Sequence, residues 1–195
     1  MATDTRNPTG DDAASIVGTI SGTPGSRYTL VNDYPDTGAG RTTLTIGADA
    51  IGGGTILFTF TAFTVPSGST SISIDVLYHD EDAVSGTNAA AARLQLSGSP
   101  YTAGEHDPGT FTARTDSWAT NPATSAAWTA AEVNAIERFG IRCSDDNPGI
   151  KFSDIQLKVT YTPPIKSING LLKASIKSVN GLVAASIKAI NGLGY

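Results

Sequence analysis

The sequence has few cysteine, histidine and tryptophan residues and little charge. Its 195 residues include one cysteine, two histidines and two tryptophans, and only 16% are charged. A lone Cys143 excludes an intrachain disulfide, and we interpret it as a small, half-buried side chain on a strand. A catalytic thiol would need an adjacent base, and only His79 and His106 are available. Neither histidine has the spacing that is typical of zinc ligands.

Long apolar runs are also missing. No stretch approaches the roughly 18 consecutive apolar residues that a membrane helix requires. Residues 1–14 are polar and carry Asp4, Asp11 and Asp12, with neither a basic segment nor an apolar one. They are therefore not a secretory signal. We expect synthesis in a cytoplasm, no membrane partner, and release by another route such as lysis.

The motifs of the common enzyme classes do not occur. There is no P-loop, no dinucleotide fingerprint and no Gly-x-Ser-x-Gly. The acidic segments 79–82 and 145–147 lack the spacing of a calcium loop, so we interpret them as solvated turns. A glycosidase needs two carboxylates across a cleft, but some such pair is inevitable among 18 acids, and a hydrolase stays a minor alternative. We expect no enzyme, no cofactor and no bound metal.

Short alternating segments make up most of the chain. Apolar and small polar residues alternate between residues 15 and 162, which indicates strands. The clearest case is 70–78, where Ile72, Ile74 and Val76 share one face. Turn residues such as Pro24-Gly25 separate the segments. The strand candidates are 15–21, 27–31, 41–46, 55–63, 70–78, 92–96, 110–115, 138–142 and 151–161. This spacing predicts an all-β, jelly-roll-like two-sheet β-sandwich.

One short helix is predicted within the sandwich. Thr129 can cap it, Glu132 completes a capping box, and Trp128 with Val133 can form a hydrophobic staple. These signals predict a helix over 130–137 that closes one end of the sandwich. We interpret Trp128, like Trp118, as core or rim packing. The alternative is a sugar-stacking platform.

The C-terminal segment repeats with a period of eleven residues. After Pro163-Pro164, Ile-Lys-Ser-Ile-Asn-Gly-Leu at 165–171 is followed by similar copies at 176–182 and 187–193. Asn-Gly is the preferred two-residue hairpin turn, whereas Gly costs about 1 kcal/mol inside a helix. We therefore predict three hairpins or an extended tail with turns at Asn169, Gly170, Asn180, Gly181, Asn191 and Gly192.

The repeated apolar residues are the predicted assembly surface. They are Ile165, Ile168, Leu171, Ile176, Val179, Leu182, Ile187, Ile190 and Leu193. Isolated hairpins are marginal in water, so these side chains need a partner that covers them. The chain then divides into a flexible arm (1–14), a sandwich body (15–162), and a linker with three repeats (163–195).

Charge separates the body from the tail. The tail carries four lysines and no acid, giving +4, and because the whole chain carries −5, residues 1–164 carry −9. Opposite charges favour contacts between tail and body of neighbouring subunits, or docking on an acidic particle surface. Four lysines without aromatic neighbours do not suggest nucleic-acid binding.

Two segments resemble proteins of virus particles. Residues 120–136, with Asn-Pro-Ala-Thr-Ser-Ala-Ala-Trp-Thr at 121–129, and the final strand 155–161 resemble a jelly-roll-type domain common in phage structural proteins and bacterial surface proteins. Ser125 replaces the glycine usual in that motif, and the last strand matches only in part. The tail resembles the "IKKINGV" repeats found near the termini of phage virion proteins.

The resemblance implies a structural component of a tailed bacteriophage virion. It favours a capsid decoration or cement protein or a head-fibre component, with the major capsid or a tail protein and copies of itself as partners. A homotrimer is the favoured oligomer because trimers suit both fibres and lattice three-fold axes. The alternative is a carbohydrate-binding module for host or mucus glycans, with Trp118, Trp128, Tyr101 and Phe111 as stacking residues.

Overall fold

Alternation of apolar and polar residues produces two antiparallel sheets whose apolar faces pack together, as a computed structural model of the chain shows. The structure describes residues 1–32, 43–47, 54–82, 89–108, 110–143 and 150–164, and six residue pairs of the tail at 167–168, 171–172, 178–179, 182–183, 189–190 and 193–194.

The strands of the body are β1 (Ala2–Arg6), β2 (Gly10–Asp11), β3 (Thr19–Ile20), β4 (Leu44–Gly47), β5 (Gly54–Thr59), β6 (Thr70–Asp82), β7 (Ala90–Leu96), β8 (Ser99–Thr102), β9 (Thr112–Trp118), β10 (Arg138–Cys143) and β11 (Ile150–Thr162). Helix α1 spans Ala130–Asn134, and two 3₁₀ turns span Ala13–Ser15 and Arg27–Leu30. The tail strands are β12 (Ser167–Ile168), β13 (Leu171–Leu172), β14 (Ser178–Val179), β15 (Leu182–Val183), β16 (Ala189–Ile190) and β17 (Leu193–Gly194).

The strand order is that of a jelly roll. The first sheet runs β3-β4-β11-β6-β9, with β1 also paired to β11, and the second runs β2-β5-β10-β7-β8. Strands β4 to β11 therefore form two four-stranded layers, β4-β11-β6-β9 and β5-β10-β7-β8, as in the eight-stranded double sheet of jelly rolls. The predicted all-β sandwich is confirmed.

The core lies between the two layers. Ile74, Val76 and Tyr78 of β6 are fully buried, and they face a second layer that contributes Ile56, Phe58, Leu94, Phe139 and Ile141. Within the second sheet, Gly140 of β10 is required for close pairing with β5, because a Cβ there would lie 2.0 Å from the Ile56 carbonyl oxygen. The sandwich thus depends on this close pairing of β5 with β10 as well as on apolar burial between the layers.

The N-terminal residues are paired, so the prediction of a flexible arm at 1–14 is wrong. Strand β1 pairs with β11 from Ala2↔Tyr161 to Arg6↔Leu157, and β2 pairs with β5. Strand β4 pairs with the same edge of β11 only at its beginning, from Ile150 to Phe152. Strand β1 therefore satisfies backbone groups farther along β11 that would otherwise be unpaired. The Arg6 guanidinium lies 4.9 Å from the ring centroid of Phe63, which fixes the end of β1.

Two other strand predictions need correction. The predicted strand 27–31 is instead a 3₁₀ turn over Arg27–Leu30, because the Asp11 carboxylate accepts hydrogen bonds from the Arg27 and Tyr28 backbone N–H groups at 3.0 and 2.7 Å. Segment 15–21 is a strand only at Thr19–Ile20. Strand β8 was not predicted. It follows a tight turn at Ser97-Gly98, where both residues have positive φ.

The predicted helix is confirmed with a shorter C-terminal end. The Thr129 side chain accepts from Glu132 N, and the Glu132 carboxylate accepts from Thr129 N, so the capping box is present. The helix ends at Asn134, whose side-chain amide makes two hydrogen bonds to the Val65 backbone at 2.8 and 3.0 Å. That tertiary contact stops the helix before residue 137.

Strand β11 defines two ends of the body. Its first residue, Ile150, pairs with Asp82, and its last residue, Thr162, pairs with Thr70. The 13 extended residues of β11 span about 40 Å. The end near Thr162 is called the tail end, and the end near Ile150 is called the far end. A Cβ on Gly68 would lie 3.5 Å from Pro164 Cβ, so the linker passes along this turn at the tail end.

Candidate functional site

The tail forms three short antiparallel pairs at the predicted places. Ser167↔Leu172 and Ile168↔Leu171 pair across two residues, and the same register recurs in β14–β15 and β16–β17. In each case the two connecting residues are Asn-Gly. These hairpins agree with the turn chemistry of the repeat.

Of the predicted assembly residues, six lie in the tail strands: Ile168, Leu171, Val179, Leu182, Ile190 and Leu193. Ile165, Ile176, Ile187 and the turn residues Asn169, Gly170, Asn180, Gly181, Asn191 and Gly192 lie outside the described residues. The role of these residues in assembly stays a prediction.

The tryptophans belong to the core. Trp118 is 8% exposed and Trp128 is 5% exposed, and Trp128 Nε1 donates a hydrogen bond to the Trp118 carbonyl oxygen at 2.9 Å. A stacking platform needs an open ring face, so the glycan-stacking interpretation of both residues is wrong. Tyr101 is partly buried against the core, and Phe111 stacks on His79.

A buried polar network beside β9, the last strand in the order of the first sheet, links the two sheets. Asp116 Oδ2 accepts from the Tyr78 hydroxyl at 3.1 Å and from Ala92 N at 2.6 Å, and its Oδ1 pairs with His106 Nε2. Tyr78 and Asp116 lie on the first sheet, whereas Ala92 lies on the second. Asp116 therefore joins the two layers by hydrogen bonds.

Asp80 and Arg114 extend this network. Asp80 is fully buried, and Arg114 Nε donates to its two carboxylate oxygens at 3.1 and 3.2 Å. A second donor of Arg114 binds the Asp107 carbonyl oxygen at 2.7 Å, which ties down the connection between β8 and β9. The interpretation of segment 79–82 as a solvated turn is wrong, because these residues belong to β6 and Asp80 points inward. Segment 145–147 lies outside the described residues.

The electrostatics of the network follow from burial. Burial raises the pKa of Asp80, and the hydrogen bond and charge of Arg114 oppose that shift. Burial also raises the pKa of Tyr78, with the neighbouring Asp116 and Asp80 carboxylates adding to the effect. Tyr78 therefore stays protonated and acts as a hydrogen-bond donor to Asp116.

His79 faces the opposite side of β6. Its Nδ1 lies 2.7 Å from Asp154 Oδ1, and its ring stacks on Phe111 with the centroids 4.7 Å apart. Asp154 is buried and also accepts from the Ser153 hydroxyl at 3.1 Å. Both histidines of the chain thus contact a buried aspartate.

A pocket opens on the outer face of the second sheet. It has a volume of about 240 Å³ and is lined by the first 3₁₀ turn with its N-cap residue, by β5, β7 and β8, and by the β7–β8 turn: Asp12, Ala14, Ser15, Thr55, Leu57, Arg93, Gln95, Gly98 and Pro100. Arg93 Nη1 donates to Thr55 Oγ1 at 2.9 Å, whereas its buried Nε has no hydrogen-bond partner. The sequence carries no signal for this pocket, because Asp12 and Arg93 are distant in the chain.

No protein-family model matches this chain, and a search of curated proteins finds no similar sequence. In the described part of the chain, no group of three or more His, Cys, Asp or Glu side chains could hold a metal ion. The described residues also include no helix of the length and apolar character needed to cross a bilayer.

Proposed function

We propose that this chain is a structural protein of a tailed-bacteriophage virion, a capsid decoration or cement protein or a head-fibre component. In this proposal the C-terminal repeats attach the sandwich body to the particle. The observation that carries the proposal is the series of three Asn-Gly hairpins beyond the last strand of the body. The resemblance of the repeat to phage virion sequences adds to it.

Small hairpins of this kind need a partner. In the part of the tail that the structure describes, each hairpin has two paired residues per strand, and even longer isolated hairpins are marginal in water. Isoleucine, valine and leucine recur at fixed places in every repeat, and their burial contributes about 1.5–3 kcal/mol per side chain. Contact with a neighbouring subunit or a particle protein supplies the burial that one hairpin lacks.

The geometry of the body suits attachment at one end. The tail follows Thr162 at the tail end, and the far end lies about 40 Å away along β11. A body held through the tail therefore projects the far end, which carries Asp80 opposite Phe152, away from the attachment point. This orientation is typical of a protein that decorates a surface.

The charges supply a second attractive force. The tail carries +4 against −9 on residues 1–164, so it is attracted to the bodies of neighbouring copies or to an acidic capsid surface. The partners in this proposal are copies of the same chain, as a homotrimer, and the major capsid or a tail protein. The virion is the corresponding location.

Deletion of residues 165–195 tests the proposal. We expect the truncated body to remain folded, because its core and both sheets lie within residues 1–164. We also expect it to lose incorporation into particles and self-association. The measurements are circular dichroism, mass by light scattering, and co-sedimentation with particles.

A chain with a shuffled tail is the matched control. It keeps the composition and the +4 charge of the tail and removes the Asn-Gly spacing. If charge alone attached the protein, the shuffled tail would restore incorporation. Normal incorporation of the truncated body would contradict the proposal outright.

The carbohydrate-binding alternative loses its main residues in this fold. Trp118 and Trp128 are core residues, so glycan stacking cannot use them. No described contact favours the hydrolase alternative.

A further inference from the structure

We propose that the contact between His106 and Asp116 is a pH-dependent switch, which holds the β8–β9 connection closed when the imidazole is charged and loosens it when the imidazole is neutral. This inference goes beyond the structural role of the chain and does not depend on the tail. It rests on a bulge in the strand pairing beside His106, on the exposure of its side chain and on the balance of charge around two buried carboxylates.

The β8–β9 connection returns to the second sheet at His106. The backbone of His106 pairs with Ala90 of β7 in both directions, with both hydrogen bonds at 2.8 Å, and Ala103 N donates to the Ala92 carbonyl oxygen at 3.0 Å. Between these two pairings, two residues of the connection lie opposite one residue of β7. The connection therefore contains a β-bulge, at which the ladder of backbone hydrogen bonds is locally disrupted.

Asp116 supplies an acceptor at this bulge. Ala92 N donates to Asp116 Oδ2 at 2.6 Å, and Asp116 Oδ1 contacts His106 Nε2. One carboxylate on the first sheet thus holds β7 with one oxygen and the returning connection with the other. A neutral imidazole can donate a single hydrogen bond to this carboxylate, whereas a charged imidazole makes a stronger, charge-assisted one.

The charges around Asp116 balance only when His106 is protonated. In the part of the chain that the structure describes, His106 is the one side chain that forms an ion pair with Asp116, because Arg114 pairs with Asp80 instead. With both carboxylates ionised, the network is neutral when the imidazole is charged and has one uncompensated negative charge when it is not. The charge of His106 also opposes the rise in the pKa of Asp80 that burial causes, so the imidazole acts on both carboxylates.

The other polar groups nearby do not alter this balance. Tyr78 donates to Asp116 at 3.1 Å and stays neutral, because burial raises its pKa. Glu105 pairs with Arg142 at 2.7 Å. Asp107 is exposed, and its carbonyl oxygen accepts from Arg114 whatever the state of the imidazole.

Water can exchange a proton with this site. The His106 side chain is 34% exposed, whereas that of Asp116 is 2% exposed. Histidine is the side chain whose charge commonly changes between about pH 5 and pH 8. Solvent therefore sets the charge of the imidazole but stabilises the carboxylate little, so the contact should be tighter at acidic pH.

Loss of the imidazole charge should loosen the connection without unfolding the body. The backbone bonds between His106 and Ala90 and the bond from Arg114 to Asp107 remain in place. Local openings of this kind require less free energy than global unfolding. The groups that report such an opening are the N–H groups of Ala92 and His106.

Hydrogen exchange of the full chain, followed by mass spectrometry, tests the proposal. After correction for the intrinsic pH dependence of exchange, we expect opening around Ala92 and His106 to be about fivefold more frequent at about pH 8 than at about pH 5, because charged hydrogen bonds stabilise more than neutral ones. The pairing of Phe58 with Phe139 should show no such change. Equal opening at the two pH values overturns the proposal.

Two variants assign the effect to one imidazole. His106→Gln keeps a neutral amide donor, so its local opening should be frequent and constant over the same range. His79→Gln is the matched control, because His79 contacts Asp154 on the opposite side of β6, and it should behave like the parent. A folded His106→Gln chain that retains the pH dependence of the parent overturns the proposal.

Nuclear magnetic resonance of the two imidazoles decides if His106→Gln does not fold. The stacking of Phe111 on His79 distinguishes the two signals in the parent chain. We expect the titration of His106 to have the same midpoint as the change in local opening. A midpoint that coincides with that of His79 and differs from that of His106 overturns the proposal, as does a His106 signal that does not titrate over the range in which the opening changes.

Discussion

Asp80 and Asp116 show how ionisable residues can hold a sandwich together. Both carboxylates are buried on the inner side of the first sheet, where apolar side chains are the rule. Each is compensated: Arg114 donates to Asp80, and Tyr78, Ala92 and His106 surround Asp116. Loss of a single donor would leave a buried charge with fewer partners, which is the costly case for buried ion pairs.

The inward position of Asp80 could be read from the sequence, but its partners could not. Ile74, Val76 and Tyr78 alternate on one face of β6, and Asp80 continues the same phase. Its ion pair depends on Arg114, which is 34 residues away on a neighbouring strand. The sequence likewise does not reveal that Arg93 and Asp12 line one pocket, because their proximity depends on the packing of a 3₁₀ turn over β5.

The pH dependence of stability should report the burial of Asp80. Its pKa is raised in the folded state above the usual 3.8, so its favourable contribution is present below about pH 3.8 and is lost as pH rises through the folded-state pKa. Asp80→Asn has no such group. We therefore expect the parent to lose free energy of unfolding relative to Asp80→Asn as the pH is raised from about 3 to about 7.

Urea unfolding of both proteins at the two pH values measures this difference. Asp75→Asn is the control, because Asp75 lies on the outer face of the same strand in an ion pair with Lys158. An Asp80→Asn difference that does not change with pH would contradict the expected role of burial.

At the scale of the elements, strict alternation was the reliable signal. Strands β6 and β11 were predicted because period-two apolar residues run through them, and α1 was predicted because its capping box is local. Strand β1 was missed because Ala-Thr-Asp-Thr-Arg offers no apolar face. Its pairing is driven by the open edge of β11, which is a property of the assembled sheet.

Removal of β1 should therefore expose that edge. A chain without residues 2–6 loses five paired positions on β11 and the Arg6–Phe63 contact. We expect a lower free energy of unfolding and increased self-association through the unpaired strand. Urea unfolding and size-exclusion chromatography on a chain that also lacks the tail measure both effects.

Arg6→Ala is the matched variant for this experiment. It removes the cation–π contact, worth roughly 0.5–1 kcal/mol at an exposed site, and keeps the backbone pairing. We expect a small loss of stability and no new association. Association of this variant to the extent seen after removal of the strand would argue against the edge as the cause.

At the scale of the whole molecule, two regions of opposite charge occupy different parts of the chain. The tail carries +4 and residues 1–164 carry −9, a separation that was visible in the sequence. The jelly-roll order and the placement of the linker beside Gly68 required the structure. Composition thus predicted the division of the chain, whereas tertiary packing determined which end of the body the tail leaves.

Salt should weaken assembly if the tail acts partly through charge. Screening shortens electrostatic range to about 8 Å at 0.15 M and about 3 Å at 1 M ionic strength. We expect the proposed self-association to fall as salt rises, without complete loss, because burial of the repeated apolar residues persists. Light scattering over a salt series measures this, and association that increases steadily with salt would show that apolar burial alone drives assembly.

The pairing of Ala2 with Tyr161 has a practical consequence for engineering. Polypeptide joined ahead of Ala2 emerges beside the segment that follows Thr162, so a reporter fused there would crowd the attachment side. A peptide epitope grafted into the β8–β9 connection, near Glu105, would instead be presented at the opposite pole. The same body could then serve as a scaffold for multivalent display.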